Sequence, residues 1–114
     1  MWIEINFMEK IKQQRILDNK NDLIENTFCF ELFENRIFNK SKCIDLINDA
    51  KYLKKHNLLN SSLLEVLEWI TLSVEQCFIS NKDITDLYKI SNYQKEYELD
   101  WNLKWKKEIQ EIIN

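Results

Sequence analysis

The 114-residue chain contains no glycine and no proline, and alanine occurs only at Ala50. At ordinary usage of about 7% and 5%, a chain of this length would hold roughly eight glycines and six prolines. Tight hairpin turns and most bulges need positive φ, where glycine is the usual residue, so a sheet of several strands is not expected. Glycine-rich phosphate loops and dinucleotide-binding turns are excluded because they require glycine directly.

Residues for catalysis and metal binding are also scarce. His56 is the single histidine, so Ser–His–Asp or Cys–His catalysis would depend on it, and it follows two lysines at a predicted helix end. Cys29, Cys43 and Cys77 are widely spaced and form no CxxC pair, which predicts buried free thiols. No Glu-x-x-His motif and no Cys/His cluster occurs. We therefore expect a protein that is not an enzyme and holds no metal or cofactor.

Length and hydropathy predict one domain over residues 1–114, large enough for a hydrophobic core without disulfides. No apolar run approaches the ~18 residues that a membrane span needs. The first ten residues carry Glu4 and no cationic start before an apolar stretch, which is unlike a signal peptide. The sequence thus predicts a cytoplasmic protein without membrane association.

The formal net charge of −3 is unevenly spread. Residues 1–57 hold ten Lys/Arg and nine Asp/Glu, whereas residues 58–114 hold six and ten. Binding to nucleic acid depends on neutralising phosphates with Lys and Arg. An acidic second half therefore argues against a nucleic-acid partner.

Hydrophobic periodicity predicts an all-α fold, a compact single-domain bundle of five or six helices with short connections. The expected N-caps are Ser41, Ser62 and Asn92. Residues 2–7 alternate in polarity, so whether this segment starts as a strand stays open. The predicted helices cover residues 3–17, 22–38, 41–55, 62–79, a short stretch within 83–90, and 92 to the C-terminus.

The stretch YELDWNLKW, residues 97–105, alternates like a strand but also belongs to a stripe with a spacing of four. We predict a helix, because no residue of the stretch is β-branched and the stripe extends beyond it on both sides. Leu99 and Leu103 then lie opposite the stripe, beside Glu96 and Asp100, either as a second core contact or in a docking face. The stripe consists of Tyr93, Tyr97, Trp101, Trp105, Ile109 and Ile112.

The helix at 62–79 displays acids and apolar residues together outside its predicted core arc. No Lys or Arg occurs in this range, and a solvated helix face normally mixes charges of both signs. Acids around exposed apolar side chains predict a protein-binding patch. Alternatively, a neighbouring helix covers the apolar members, or the chain self-associates through Trp69 and Leu72. The acids are Glu65, Glu68 and Glu75, and the apolar residues are Trp69, Leu72 and Ile79.

Residues 83–97, DITDLYKISNYQKEY, resemble a helix-turn-helix core, in which KIS stands where Gly-Ile-Ser is common. The resemblance implies a DNA-binding regulator. The recognition helix would carry Glu96, Glu98 and Asp100, which would face repulsion from phosphate. We keep this function as an alternative.

The whole chain resembles the small immunity proteins of bacterial contact-dependent growth inhibition and colicin-type toxin systems. The resemblance lies in its size, its helical layout, its acidic helix faces and an amino-acid composition typical of an AT-rich coding sequence. The segments CFELFENRIFNKSKCIDLINDA and SSLLEVLEWITLSVEQ are similar to helices of that class. The resemblance implies an inhibitor without catalytic residues that binds a cognate toxin domain, often a basic nuclease. Another helical protein-interaction module is the further alternative, and the sequence leaves open whether the chain is a monomer.

On this interpretation, the acidic side chains of the chain stand in for the phosphates that the toxin recognises. The predicted partner-binding residues are Glu65, Glu68, Trp69, Leu72, Glu75, Glu96, Leu99, Asp100 and Leu103.

Overall fold

The computed structural model describes residues 6–114, which form five helices and no strand. The prediction of a compact all-α bundle is confirmed. The segment that was open to a strand lies mostly in residues 1–5, outside the described residues, and α1 begins at Phe7. The helices are α1 (Phe7–Asp18), α2 (Phe28–Phe33), α3 (Lys40–Lys55), α4 (Ser61–Lys82) and a C-terminal helix made of α5 (Lys95–Asp100), a π-helical turn (Trp101–Trp105) and α6 (Lys106–Ile113).

Asparagine begins three of the helices. The side-chain oxygens of Asn6, Asn39 and Asn60 each accept a hydrogen bond from the backbone N–H three residues further on, at 2.8–3.1 Å. Asparagine is among the best N-cap residues because its side chain satisfies an otherwise unpaired N–H. The predicted caps Ser41 and Ser62 are wrong, since each serine lies in the first turn of a helix that the preceding asparagine has already started.

The helix predicted over residues 22–38 is much shorter, because Thr27 caps α2 at its start and the helix ends at Phe33, with Glu34 as its C-cap. Arg36 takes a φ of 58°, which ends helical propagation. Asn92, the expected cap of the last helix, instead binds the backbone of Phe38. It accepts from the Phe38 N–H at 2.8 Å and donates to the Phe38 carbonyl at 2.9 Å.

The short helix predicted within residues 83–90 is wrong, and this segment forms turns. Asp83 Oδ1 accepts from the Thr85 N–H at 2.9 Å, and Asp86 Oδ1 accepts from the Tyr88 N–H at 2.8 Å. Such Asx turns compete with helical hydrogen bonding. The helix-turn-helix arrangement suggested for residues 83–97 therefore lacks its first helix.

Phe38 lies at the centre of an aromatic cluster that joins the segment after α2 to the other helices. Its ring centroid is 5.4 Å from that of Phe28 in an edge-to-face contact, and 5.7 Å from that of Phe78 on α4. It stacks with Tyr97 at 5.0 Å and with Trp105 at 5.9 Å on the C-terminal helix. This cluster fixes the C-terminal helix beside α4, where the predicted site residues are found.

Candidate functional site

The α4 helix and the C-terminal helix pack side by side in antiparallel orientation. Glu75 Oε1 is paired with Lys106 Nζ, and nearer the other end Lys82 Nζ is paired with Glu98 Oε2. Going along α4 from Glu75 to Lys82, the paired residue on the C-terminal helix moves back from Lys106 to Glu98, so the two helices must be antiparallel. Nine predicted site residues lie on these two helices.

The π-helical turn aligns the aromatic stripe of the C-terminal helix. A four-residue spacing exceeds one turn of an α-helix by about 40°. The Lys106 N–H donates to the carbonyl of Trp101, five residues back, and this wider turn takes up the excess rotation. Trp101 and Trp105 are consequently both buried. The prediction of a helix rather than a strand is confirmed.

Four aliphatic side chains on the two helices stay exposed. Leu72 and Ile79 are 64% and 59% exposed on α4, and Leu99 and Leu103 are 46% and 68% exposed on the C-terminal helix. Leu72 and Ile79 lie one turn either side of Glu75, and Leu103 lies one turn before Lys106, so the ion pair lies among them. We define the two-helix face as Leu72, Glu75, Ile79, Leu99, Leu103 and Lys106.

These exposures answer two questions that the sequence left open. The described helices leave Leu72 and Ile79 uncovered, and they do not bury Leu99 and Leu103 as a second core contact. Several exposed aliphatic side chains on two adjacent helices are expected of an interaction surface.

The acidic side chains of α4 differ in whether a cation of the fold pairs with them. Glu65 and Glu68 are exposed on α4, and no ion pair within residues 6–114 involves either of them. Glu75, in contrast, is neutralised by Lys106. Residues 62–79 contain no Lys or Arg, so their sequence alone could not predict this ion pair, because the cation lies on another helix.

Trp69 lies outside the two-helix face. Its ring packs edge-to-face against Phe33 of α2 with centroids 5.7 Å apart, and Lys20 Nζ lies 5.6 Å from its ring centroid. For Trp69, coverage by a neighbouring helix is the correct explanation, and this side chain contributes to packing.

Glu96 and Asp100 lie at the edge of the face or beyond it. Glu98 contacts α4 through Lys82, and Asp100 follows two residues later, about 200° around the helix. Asp100 is half-buried on the side away from α4, whereas Glu96 is exposed one turn before Leu99. The structure thus places Glu68, Leu72, Glu75 and Ile79 along one side of α4, with Leu99 and Leu103 on the neighbouring C-terminal helix, and it leaves Trp69 and Asp100 apart.

A groove of about 450 Å³ lies at one end of the two-helix face, between α4 and the end of the C-terminal helix. Leu72 and Ile113 contribute apolar walls, and Glu68 and Gln110 contribute polar ones. Such a recess is suited to a protruding side chain of a docking protein. Its lining residues are Glu68, Thr71, Leu72, Gln110, Ile113 and Asn114.

A second cavity, of about 560 Å³, lies between α1 and α3 and was not expected from the sequence. The buried carboxylate of Asp49 accepts from Arg15 Nε at 3.0 Å and Nη2 at 2.8 Å, with Lys12 Nζ at 3.4 Å. Because Asp49 is paired within the fold, we interpret this cluster as a structural ion-pair network. The sequence feature that could have revealed this network is Asp49 itself, an aspartate between Leu46 and Leu53 on the apolar side of α3.

The histidine and two of the cysteines lie at a helix end and in the hydrophobic core. His56 is the exposed C-cap of α3, and its ring lies 4.1 Å from that of Tyr52. Burial raises the pKa of the Cys43 thiol to about 12, and it also raises the pKa of Cys29. Within residues 6–114, no three His, Cys, Asp or Glu side chains gather closely enough to hold a metal ion.

None of the helices in the described part of the chain is long and apolar enough to cross a bilayer. Comparison with protein-family models, with curated proteins and with solved structures finds no match to this chain.

Proposed function

We propose that the chain is an immunity protein, an inhibitor that binds a cognate bacterial toxin domain through the two-helix face. The observation that supports this most is the exposure of Leu72, Ile79, Leu99 and Leu103 on two helices whose other sides are packed. Fully burying one such side chain contributes roughly 1.5–3 kcal/mol. Four of them on two adjacent helices provide the apolar contacts that a protein interface needs.

The two helices of the two-helix face contact each other within the chain, without a partner. The pairs Glu75–Lys106 and Lys82–Glu98 link its helices, and on their buried side both helices contact the aromatic cluster around Phe38. A rigid surface loses little conformational entropy on binding, so more of the contact energy contributes to affinity.

Charge favours a basic partner. Glu65 and Glu68 are exposed on the α4 side of this face and Glu96 is exposed one turn before Leu99, while the exposed cations Lys104 and Lys107 lie next to Leu103. Carboxylates in such a position attract a protein surface that is built for phosphate, as in a nuclease, and raise the association rate. This supports a toxin that acts on nucleic acid.

The proposed inhibitor acts by occupying the surface of the toxin. It needs no nucleophile, metal or cofactor, and it acts in the bacterial cytoplasm, where such a toxin meets its target.

Growth rescue tests this proposal. We expect the gene immediately upstream to encode a large secreted protein that ends in a toxin domain. In the experiment, this toxin domain is expressed from an inducible promoter in cells with or without the chain. The wild-type chain should restore growth, whereas Leu72→Asp/Leu103→Asp should not. Leu23→Asp, at a highly exposed leucine in the α1–α2 connection, is the matched control and should rescue.

Two results would contradict the proposal. One is growth arrest by the toxin domain in cells that contain the wild-type chain as a folded protein. The other is a clear gel shift of genomic DNA fragments by submicromolar chain at low salt, which would support the DNA-binding alternative.

A further inference from the structure

The groove at one end of the two-helix face combines a carboxylate, amide groups and aliphatic walls. Of its lining residues, Glu68 is the one with a charged side chain, and it lies on the α4 wall. Leu72 lies on the same wall, and Gln110, Ile113 and Asn114 form the wall contributed by the C-terminal helix. The groove thus offers hydrogen-bond acceptors and apolar surface on two different helices.

The fold leaves the carboxylate of this groove without a cation. Glu68 and Gln110 are exposed, and no ion pair within residues 6–114 involves Glu68. Thr71 is buried, and its hydroxyl donates to the Leu67 carbonyl at 3.0 Å. The Thr71 donor is therefore used inside α4, whereas Glu68 is free to accept from a partner.

The charges beside the groove are of both signs, but they lie on different helices. Glu65 is exposed one turn before Glu68, and residues 62–79 contain no Lys or Arg. The nearest exposed cation is expected on the C-terminal helix at Lys107, about 100° around that helix from Lys106, which pairs with α4. The α4 wall is therefore acidic, and Lys107 lies on the outer side of the opposite wall.

This composition distinguishes between the side chains that could enter the groove. An acidic side chain would meet the carboxylate of Glu68. An aliphatic or aromatic side chain would cover Glu68 and Gln110 without giving them hydrogen bonds, and polar groups left unpaired on burial cost free energy. A basic side chain avoids both costs.

Of the two basic side chains, arginine fits the groove better than lysine. Its aliphatic stem can pack between Leu72 and Ile113 while the charged head reaches Glu68. A guanidinium donates two parallel hydrogen bonds to one carboxylate and keeps further donors for the amide oxygen of Gln110. It is also more weakly hydrated than an ammonium, so it is more easily buried at an interface.

We propose that the groove receives an arginine side chain of the toxin domain and that Glu68 is its carboxylate partner. This inference rests on the proposed function and adds a specific contact to it. Glu65, one turn away, contributes to the attraction of the toxin domain but does not contact this arginine.

Biolayer interferometry with the purified toxin domain tests the role of Glu68. Glu68→Gln should dissociate about 10- to 100-fold faster than the wild-type chain, because loss of one partner of a buried charge pair acts on the dissociation rate. Glu65→Gln makes the same change in net charge on the same helix, and its dissociation rate should stay within about 2-fold of the wild-type value.

The results separate the groove contact from the proposed function. Wild-type dissociation in Glu68→Gln, or equal acceleration in both variants, would overturn the groove contact alone. No binding by the wild-type chain would overturn the proposed function and the groove contact with it.

Chemical modification of the saturated complexes identifies the side chain in the groove. Phenylglyoxal modifies accessible arginines, and peptide mass mapping locates them. One arginine of the toxin domain should be protected by the wild-type chain and by Glu65→Gln, and modified in the complex with Glu68→Gln. The absence of such an arginine, or a lysine protected from acetylation in the same pattern, would overturn the assignment. A dimer of the chain alone in sedimentation velocity that is lost in Glu68→Gln would also overturn it, by assigning the groove to a second copy.

Discussion

The Glu75 carboxylate on α4 is paired with the Lys106 ammonium on the C-terminal helix, 31 residues later in the chain. This pair links the two helices of the two-helix face and lies between exposed aliphatic residues on both. It also removes one charge from the acidic surface that the sequence of α4 suggests. A change at Lys106 therefore tests whether the partner is basic.

Lys106→Gln should speed association with the toxin domain at low salt by on the order of 2–5-fold, because it leaves the Glu75 charge uncompensated on the docking face. Stability should fall by only about 0.2–1 kcal/mol, since both side chains are partly exposed. Stopped-flow mixing measures the rate. Lys10→Gln on the exposed side of α1 makes the same change in net charge and should have a much smaller effect; equal effects of the two variants would contradict a contact at the two-helix face.

Glu65→Lys/Glu68→Lys should slow association roughly tenfold at low salt and flatten its dependence on ionic strength, because the steering charge is reversed. Asp22→Lys/Glu25→Lys is the matched control, since both residues are exposed in the connection after α1. An unchanged association rate at low salt in the α4 variant would remove these acids from the interface.

Phe38→Ala should lower the free energy of unfolding by about 3–5 kcal/mol, because it leaves a cavity among aromatic rings from several segments. Urea denaturation followed by tryptophan fluorescence measures this loss. The exposed substitution Leu23→Ala should change stability by no more than about 0.5 kcal/mol. A loss below about 1 kcal/mol for Phe38→Ala would contradict a central packing role for this ring.

Stability should decline as pH rises from 9 towards 12. Burial raises the pKa of Cys43 from 9.0 to about 12, and the hydrogen bond to the Glu98 carboxylate raises that of Tyr93 to about 12. A group with a raised folded-state pKa stabilises the fold fully below its unfolded pKa, and this contribution is lost as pH rises through the folded value. Urea denaturation at pH 8 and pH 10.5 measures the decline. Cys43→Ala should make it smaller, and an identical decline in that variant would exclude the Cys43 contribution.

Several elements were predictable because their signal is a long periodic pattern. The α4 core positions and the aromatic stripe of the C-terminal helix each repeat over several turns, and both are helices. The stripe also contained a hint of the π-helical turn, because residues spaced by four drift around an α-helix unless one turn is wider.

Other features depend on contacts that a single segment does not show. Asp83 and Asp86 bind their own backbone two residues on, which replaced a predicted helix by turns. Asn92 was expected to cap a helix but pairs with the backbone of Phe38, 54 residues away. The side-chain environment of Trp69 likewise depends on α2. Sequence periodicity therefore located the apolar faces, and tertiary contacts decided which of them stay exposed.

Methyl NMR with the toxin domain tests the docking face most directly. The chain is labelled at Ile, Leu and Val methyl groups, and cross-saturation from the unlabelled toxin domain identifies the methyl groups in contact. We predict the strongest transfer at Leu72, Ile79, Leu99 and Leu103, and none at the exposed control Leu23. Tight binding with transfer at Leu23 and none at those four residues would contradict the two-helix face as the docking surface.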